Sequence, residues 1–443
     1  MFGYSMVQTV RSYAHKLDHP LREQMLHLYR PFTWIPCFLH SLVENSIKSI
    51  KKVSVIVEFE ENSFEEGCHQ LHQQFRSHTR CKMRNTFSFV SCCSMDVTPA
   101  MLAKILSSCP HIKKIYLNRE VKALLDVAVP SANAQSVIRN DQELTGKDVT
   151  VAVIDTGIYP HQDLQDRIVD FVDFVNDKPA PYDDNGHGTH CAGDVAGDGS
   201  ASDGKFKGPA PKANLVGIKV LDKMGSGTLE SIMQGVEWCI QHNKENPENK
   251  IRIISMSLGA EAQKFENENK DPMVQSVEKA WESGIVVCVA AGNSGPSPQT
   301  IASPALSDRV ITVGASDDLN TVDKSDDDVA SFSSRGPTIY GLQKPDLLVP
   351  GVNIVSLRSP NSYLDKIQKS SRVEGDYFVL SGTSMATPIC AGVVALILEN
   401  NPDTTPDQVK KMLTEGADRQ EGQDPNNYGF GFINAEQAIP ENV

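Results

Sequence analysis

From residue 148 onward, the sequence alternates between short, almost continuous apolar runs and stretches with helical spacing. Strands that are buried on both faces of a parallel sheet have this character, whereas a strand with one exposed face alternates apolar and polar residues. The runs are VTVAVID (149–155), ANLVGIKVL (213–221), IRIISMSLG (251–259), GIVVCVAAGN (284–293) and RVITVGA (309–315). The pattern predicts an α/β domain in which a parallel sheet lies between helices on both faces.

Residues 53–118 have a different pattern of apolar and polar residues, and this pattern predicts a separate, small α+β domain. The first run, 53–59, has apolar side chains at every second position, which is the period of a strand with one buried face. Helical spacing follows at 64–75 and 99–106, and strand-like runs follow at 86–90 and 112–117. The order strand-helix-strand-helix-strand predicts a ferredoxin-like sandwich with room for one extra strand.

The chain is therefore expected to divide into four parts. Residues 1–52 form a leader whose role the sequence does not indicate, although it carries aromatic and apolar side chains. The other three parts are the small domain at 53–118, a linker at 119–144 and the large α/β domain at 145–439.

The composition narrows the expected partners and compartment. There are 42 Lys and Arg against 56 Asp and Glu, and this net charge of −14 argues against a nucleic-acid partner, because phosphate contacts need clustered cations. No N-terminal run is long enough for a signal-peptide core, and no later run is expected to reach the length of a membrane span. The ten cysteines form no CxxC pair, which favours free thiols in a reducing compartment over a disulfide framework or a zinc ribbon. We therefore expect a cytoplasmic protein without membrane contact.

Three residues capable of chemistry stand at tight turns of the large domain, where open parallel sheets collect functional groups. Asp155 ends the first apolar run, His187 lies in the glycine-rich stretch NGHGTHCAG, and Ser384 precedes a long apolar helix. Taken singly, each has a plainer explanation as a turn residue, a loop residue or a helix cap. Together they supply the carboxylate, the imidazole and the hydroxyl that nucleophilic acyl transfer requires.

These residues stand in motifs that resemble the signatures of the subtilisin-like serine proteases. The main motifs are DTGI (155–158), GHGTHCAG (186–193) and SGTSMATP (381–388), and they follow the order Asp, His, Ser that subtilisin has. Further matching motifs are SMSLG (255–259), AAGNSG (290–295), SFSSRGP (331–337), KPDLLVPGV (344–352) and YGFGFINA (428–435). The resemblance covers residues 145–439 and is closest in pattern to the AprX-type intracellular members of the family.

The resemblance implies a serine endopeptidase that hydrolyses peptide bonds through an acyl-enzyme at neutral to alkaline pH. Ser384 is then the nucleophile, His187 the general base and later the general acid, and Asp155 the group that fixes the imidazole tautomer. Asn293 would donate its side-chain amide to the developing oxyanion, together with the backbone N–H of Ser384. Proteins or peptides are the expected substrates, and no organic cofactor is expected.

The resemblance also assigns the residues that hold the substrate. A family segment that pairs with the substrate backbone matches Gly225, Ser226 and Gly227. The walls of the specificity pocket match Ser257, Leu258 and Gly259 together with Ala290, Ala291 and Gly292, and Ala302 in the loop TIASPA (300–305) matches its floor. No carboxylate stands in these segments, so we expect cleavage after large apolar or aromatic residues. The alternative is a kexin-type preference for basic residues, with carboxylates supplied by neighbouring loops.

By the same resemblance, the small domain is an inhibitory propeptide, which helps the protease to fold and then blocks it. Its last strand and tail, IKKIYLNREVKALLD (112–126), would lead into the active site, with cleavage near Leu124 and Leu125. A permanently attached regulatory or partner-binding domain is the alternative, because domain order alone does not require removal.

Calcium is common in the family, and Asp163 matches one of its carboxylate ligand positions. The loop GDVAGDGSASDGKFKG (193–208) adds Asp194, Asp198 and Asp203, whose oxygens suit a hard cation. This loop departs from the calcium loop of the secreted members, which leaves both a bound calcium and its absence open.

The stretch NGHGTHCAG (185–193) also allows other chemistry. His187, His190 and Cys191 could form a metal cage, and Cys191 could be a nucleophile. Both alternatives are disfavoured, because the triad uses His187 and because Ser384 has the turn and the helix start. Proteinase K-like members of the family carry a cysteine in GHGTHC, so Cys191 is expected beside the catalytic imidazole. A non-catalytic binding protein on this scaffold is also disfavoured, since all four catalytic positions are filled.

Overall fold

A computed structural model describes residues 5–28, 40–60, 63–75, 78, 80–118, 120–123, 131–319, 324, 327–419 and 422–441. The chain divides into two compact units. The small unit comprises Met1–Arg119 and Gln263–Glu266, and the large unit comprises Glu120–Ala262 and Asn267–Val443.

The small unit contains a four-stranded antiparallel sheet with the order β2-β3-β1-β4. Its elements in chain order are α1 (Ser5–Ser12), α2 (His19–His27), α3 (His40–Ile50), β1 (Val53–Phe59), α4 (Phe64–Phe75), β2 (Lys82–Phe87), β3 (Cys92–Val97), α5 (Pro99–Ser108) and β4 (Ile112–Leu117). From β1 onward, the order βαββαβ is that of a ferredoxin-like sandwich, and β3 is the extra strand. The predicted strand at 86–90 is wrong in its second half, because the chain leaves β2 after Phe87 and turns through Ser91, whose φ is +51°.

The predicted leader packs into the core of the small unit. Val10, Leu17 and Leu21 are buried in the same apolar cluster as strand β1 and helices α4 and α5. One carboxylate oxygen of Asp18 caps α2 by accepting the N–H of Leu21 at 3.0 Å, and it also accepts the N–H of Leu117 at 3.2 Å. This carboxylate therefore ties the leader to β4.

The large unit contains an eight-stranded sheet in which all pairings except β15 with β16 are parallel. Its first strands and helices are β5 (Glu120–Ala123), β6 (Ile138–Arg139), β7 (Gln142–Glu143), β8 (Thr150–Asp155), β9 (Ile168–Asp173), α6 (His187–Ala196), β10 (Asn214–Lys219), β11 (Ser226–Thr228), α7 (Leu229–Glu245), β12 (Ile251–Met256), β13 (Leu258–Gly259), α8 (Pro272–Glu282) and β14 (Val286–Ala290). The remaining ones are β15 (Ile311–Asp317), β16 (Asp328–Val329), β17 (Leu347–Pro350), β18 (Ile354–Leu357), α9 (Tyr363–Ile367), β19 (Arg372–Val373), β20 (Tyr377–Leu380), α10 (Thr383–Asn400), α11 (Pro406–Glu415), α12 (Pro425–Tyr428) and α13 (Ala435–Ala438).

The strand order of the large sheet is β16-β15-β14-β12-β8-β10-β9, with β17 also paired to β15. Every residue of β8 is buried, so the sheet is covered on both faces. Helix α6 packs against α10, helix α7 packs against α8, and both pairs contact the sheet. The predicted α/β class with a mainly parallel sheet is therefore confirmed.

Helix α10 corrects one expectation from the sequence. Within the described residues it is the one helix whose length and composition would allow it to cross a membrane, and 89% of its 18-residue window is buried inside the protein. Its apolar character therefore has a plain cause, which is burial against the strands of the sheet and against α6.

The described part of the predicted linker belongs to the large unit. Val137 is completely buried, and the guanidinium of Arg139 donates to the backbone oxygen of Ile439 at 2.7 Å and to the carboxylate of Glu436 at 2.9 Å. The nine cysteines within the described residues are all free thiols, as the sequence predicts, and eight of them are buried.

Candidate active site

The site is built around a turn at the carboxyl end of the central strand β8. Asp155 ends the strand, and Gly157, with φ of +114°, lies so close to the next segment that a Cβ there would be 2.2 Å from the backbone oxygen of Tyr182. A Cβ at Gly188 in helix α6 would likewise be 2.2 Å from the oxygen of Gly157. Glycine is therefore required at both positions, because the backbone of the turn touches the segment before α6 at Gly157 and touches α6 itself at Gly188.

This contact brings the predicted acid and base together. His187 is the first residue of α6, and its Nδ1 lies 2.7 Å from Oδ1 of Asp155. Both side chains are completely buried, and the N–H of Thr156 donates to the same carboxylate oxygen at 2.7 Å. Because the carboxylate of Asp155 accepts a hydrogen bond from Nδ1 of His187, the neutral ring carries its proton on Nδ1 and its lone pair on Nε2.

Two opposed effects set the proton affinity of His187. Burial by itself lowers the pKa of the imidazole, whereas the negative charge of Asp155, followed by the neighbouring Cys191, raises it, and the result lies well above the ordinary value of 6.5. Burial also raises the pKa of the neighbouring Cys191 thiol to about 12, so this thiol is neutral near pH 7. The charge that stabilises a protonated His187 is therefore that of Asp155.

The start of α6 is held by Asp183, a residue that sequence reasoning missed. One carboxylate oxygen accepts the hydroxyl of Thr156 at 3.0 Å and the N–H of Gly186 at 2.8 Å. The other oxygen accepts the N–H and the hydroxyl of Thr189 at 2.9 Å and 2.7 Å. The available signal was an aspartate shortly before a helix start, where a carboxylate can accept otherwise unpaired N–H groups.

Ser384 is the second residue of helix α10 and is completely buried. Its hydroxyl lies 3.4 Å from the backbone oxygen of Ser257, and its own backbone oxygen accepts the hydroxyl of Ser257 at 2.6 Å. Cys191, one turn after His187, contacts this backbone oxygen at 3.5 Å and lies 3.9 Å from Nδ1 of His187. The packing of α6 against α10 thus brings Ser384 to the same site as the acid and the base.

Asn293 is oriented by the residue before Ser384. Its Oδ1 accepts the N–H and the hydroxyl of Thr383, both at 3.0 Å. The hydroxyl of Thr383 in turn accepts the N–H of Gly292 at 3.3 Å. Because the oxygen of the amide is held in this way, its orientation and that of the Nδ2 donor group are fixed relative to the start of α10.

The predicted substrate-pairing segments enclose a strand from the chain itself. Strand β5 lies between β11 and β13 and is antiparallel to both. Lys122 of β5 stands opposite Ser226 on one side and opposite Gly259 on the other, while Val121 stands opposite Gly227. The structure therefore brings four of the predicted substrate-binding residues into one three-stranded sheet: Ser226, Gly227, Leu258 and Gly259.

The predicted pocket floor is joined to both walls by backbone hydrogen bonds. The N–H of Ala302 donates to the oxygen of Ala291 at 2.8 Å, and Ser303 exchanges two hydrogen bonds with Ala260 at 2.9 Å and 3.0 Å. Ala302 is buried beside Gly292, where a Cβ would lie 3.2 Å from that of Ala302. The wall and floor segments therefore form one continuous surface.

The structure gives His190 a structural role instead of a place in a metal cage. Its Nδ1 pairs with Asp194 at 2.9 Å, and its Nε2 faces the backbone oxygens of Ile354 and Phe378 at 3.2 Å and 3.1 Å. In the described part of the chain, the one group of three His, Cys, Asp or Glu residues close enough to share a metal ion is Asp155, His187 and Cys191.

The prediction of Asp163 as a calcium ligand does not fit its surroundings. The carboxylate is completely buried, and its Oδ1 accepts the N–H of Ala201 at 2.8 Å and the hydroxyl of Ser200 at 3.3 Å. Its Oδ2 accepts the hydroxyl of Tyr377 at 2.7 Å. A calcium ligand turns its oxygens to the cation, but here hydrogen-bond donors point at both of them.

The other acidic residues of the predicted calcium loop do not complete a site with Asp163. Asp194 pairs with His190 inside α6, and Asp198 accepts the N–H of Ser200 at 2.8 Å. Asp203 lies in the turn after the short helix Ser200–Ser202, with φ of +51°. The carboxylates of Asp194 and Asp198 thus have hydrogen-bond donors within a few residues of their own positions.

Comparison with known proteins assigns the chain to a family. The model of the subtilase family matches residues 146–431. The serine protease AprX of Bacillus subtilis is 61% identical over 99% of this chain and 100% of its own length, and subtilisin DY of Bacillus licheniformis is 38% identical over 67% of this chain and 93% of its own length.

Among solved structures, fervidolysin from Fervidobacterium pennivorans, a keratinolytic enzyme related to subtilisin, matches with a TM-score of 0.66. The match has 21% identity and covers 88% of this chain and 61% of fervidolysin, so it shows the subtilisin-like fold. Together with the family match over more than half of the sequence, these findings establish that the chain belongs to the subtilase family of serine proteases, which act on protein substrates.

Proposed function

We propose that the chain is an endopeptidase in which Asp155, His187 and Ser384 form the catalytic triad. The hydroxyl oxygen of Ser384 attacks the scissile carbonyl carbon while Nε2 of His187 takes its proton. His187 then gives this proton to the leaving amine, and an acyl-enzyme remains. A water molecule, deprotonated by His187, attacks the ester and releases the acid and the serine hydroxyl.

The observation that carries this proposal is the buried hydrogen bond of 2.7 Å between Asp155 and His187 beside the start of the Ser384 helix. The carboxylate holds the ring in the tautomer with its lone pair on Nε2 and stabilises the imidazolium that forms. The amide of Asn293 and the backbone N–H of Ser384 stabilise the oxyanion, aided by the positive end of the α10 dipole.

We propose that the substrate binds as the strand between β11 and β13, in the place where β5 lies. Backbone pairing of this kind does not discriminate between substrate side chains, so it gives broad specificity. The substrate side chain before the scissile bond is selected by a pocket, which is formed by Ala290, Ala291, Gly292 and Ala302. The small side chains of these residues leave room for a large apolar or aromatic substrate residue.

We also propose that the small unit is an inhibitory propeptide whose tail blocks the cleft. The antiparallel pairing of β5 with the two substrate-pairing strands supports this role. Cleavage near Leu124 and Leu125 would follow directly after β5, and these two residues lie outside the described residues. A cytoplasmic location is proposed from the sequence alone.

Replacing the nucleophile tests the triad and the processing together. Ser384→Ala should lose about 10⁶-fold in turnover, the loss that subtilisin itself shows without its nucleophile. Asn293→Ala removes only the proposed oxyanion donor, so its turnover should fall by about 10²–10³-fold, which is also the loss known for subtilisin. A fluorophosphonate should label Ser384 of the wild-type protein.

Mass spectrometry of the purified proteins shows whether and where the chain is cut. The wild-type protein should be trimmed near Leu124, and Ser384→Ala should keep its full length. Trimming of both proteins at the same place would exclude self-processing and would favour a foreign protease, whereas an untrimmed wild-type protein would favour a permanently attached domain.

The pH dependence of kcat/KM should reflect the raised pKa of His187. The ring must be neutral to take the proton of Ser384, and Asp155 keeps it protonated to higher pH, so kcat/KM should still be rising above pH 6.5. Asp155→Asn removes the charge that raises the pKa, so the rise should move to lower pH while the plateau falls by about 10⁴-fold. Steady-state rates between about pH 5.5 and about pH 10 measure both effects. A rise at the same or a higher pH in Asp155→Asn would be evidence against the assigned pair.

Cys191 should make the enzyme sensitive to mercurials. A mercurial bound to this thiol, 3.9 Å from Nδ1 of His187, would displace the imidazole and slow the reaction. Cys191→Ala should keep its activity and lose this sensitivity, measured as residual activity against mercurial concentration. Cys239→Ala, which removes another buried thiol, is the control and should stay sensitive. Equal sensitivity of the two variants would refute the prediction.

Cleavage of a peptide library should occur after Phe, Leu, Tyr and Met. Ala302→Leu fills the pocket floor and should reduce cleavage after Phe relative to Ala by at least about tenfold, since one methylene in such a pocket changes discrimination by about 10–200-fold. Mass-spectrometric identification of the cut sites gives both values. A library profile dominated by Arg or Lys would support the kexin-type alternative.

A further inference from the structure

A fully buried lysine stands beside the turn that carries Asp155. Lys219 is the last residue of β10, and it pairs in register with Asp155 of β8. Its side chain has no exposed surface. A fully buried lysine is uncommon, because a buried cation must have all of its donors satisfied.

The ammonium group finds one acceptor for each of its three hydrogens. It donates to the backbone oxygen of Thr156 at 2.6 Å, to the backbone oxygen of Leu221 at 2.8 Å and to the carboxylate of Asp184 at 2.8 Å. An ammonium has three donors, so this set is complete. The three partners come from three different segments of the site.

The first partner belongs to the turn that orients the catalytic carboxylate. Thr156 follows Asp155, and its N–H donates to the same carboxylate oxygen that contacts His187. Its hydroxyl accepts the N–H of Gly188 at 2.9 Å. The bond from Lys219 therefore fixes a peptide unit that touches both Asp155 and α6.

The second partner lies in the segment that pairs with the substrate. Leu221 forms an isolated bridge with Gly227 of β11, and its N–H donates to the backbone oxygen of Asp155 at 3.2 Å. The bond from Lys219 to the oxygen of Leu221 therefore ties the base of β11 to the turn after β8.

The third partner lies in the loop that leads into the histidine helix. Asp184 is three residues before His187, and the next residue, Asn185, accepts the N–H of His187 at 3.1 Å. The side-chain amide of Asn185 also donates to the backbone oxygen of Lys223 at 3.0 Å. This loop is thus joined to the Lys219 segment at two points.

We propose that Lys219 is a positioning residue, whose ammonium joins the Asp155 turn, the loop before His187 and the base of β11. In this way it sets the geometry of the triad and the place of the substrate strand together. The inference rests on the proposed roles of Asp155, His187 and Ser384. Lys219 acts through these groups and through β11.

The test compares Lys219→Met with two other variants of the full chain, with all rates expressed per site titrated to completion by a fluorophosphonate. Lys219→Met keeps the volume and removes the three bonds. It should lower kcat by about 10²-fold, the effect of a displacement of about 1 Å in an active site. It should also raise KM several-fold, because the base of β11 loses its tie.

Asp184→Ala removes one of the three bonds at a partly exposed position, so it should fold. It should lower kcat and leave KM within about twofold, since the bonds to Thr156 and Leu221 remain. Lys344→Met is the matched control: Lys344 is also buried and also bonds to a carboxylate, Asp346 at 2.7 Å, but it lies outside the site. This control should change the melting temperature and leave kcat and KM within about twofold.

The proposal is overturned if Lys219→Met has kcat and KM values, per titrated site, within about twofold of those of the wild type. A change in melting temperature alone would not support it. If Lys219→Met does not fold, Asp184→Ala decides, and an unchanged kcat in that variant overturns the proposal. Absence of labelling at Ser384 in the wild-type protein is a different result, because it overturns the proposed triad and this inference with it.

Discussion

The backbone contact between helix α6 and the turn after β8 is the constraint on which the site depends. Gly188 permits it, because a Cβ there would lie 2.2 Å from the backbone oxygen of Gly157. The carboxylate and the imidazole then meet at 2.7 Å without an intervening flexible segment. Helix α10 packs against α6, and this packing brings the backbone of Ser384 to within 3.5 Å of Cys191, one turn after His187.

Much of the fold and of the candidate site could be predicted from the sequence, because buried parallel strands and polar residues at glycine-containing turns leave local patterns. Asp155, His187 and Ser384 were predicted from such patterns, and the pocket segments were predicted from the resemblance to the subtilisin-like proteases. Asp183 and Lys219 were missed, since their roles depend on partners that only the fold brings near, such as Thr156, 63 positions from Lys219. The prediction of a strand at 86–90 was wrong in its second half because the chain turns at Ser91. A serine side chain does not indicate the positive φ that this turn has.

The surroundings of Asp163 show why a residue type alone does not predict a metal site. An aspartate at a familiar ligand position looks the same in the sequence whether acceptors or donors surround it. Here the deciding partner is Tyr377, 214 positions away, whose hydroxyl donates to the buried carboxylate. Hydrogen-bond donors that stabilise a buried carboxylate and a cation that offsets its charge are two solutions to the same burial problem.

Strand β5 and the two strands that flank it belong to one polypeptide, and this has a consequence for competition. A tethered segment meets its site at an effective concentration on the order of millimolar, which does not change when the protein is diluted. A free peptide at a much lower concentration cannot displace it by mass action. If the chain were cut after β5, the same segment would become an ordinary ligand, and dilution would then govern how often the cleft is empty.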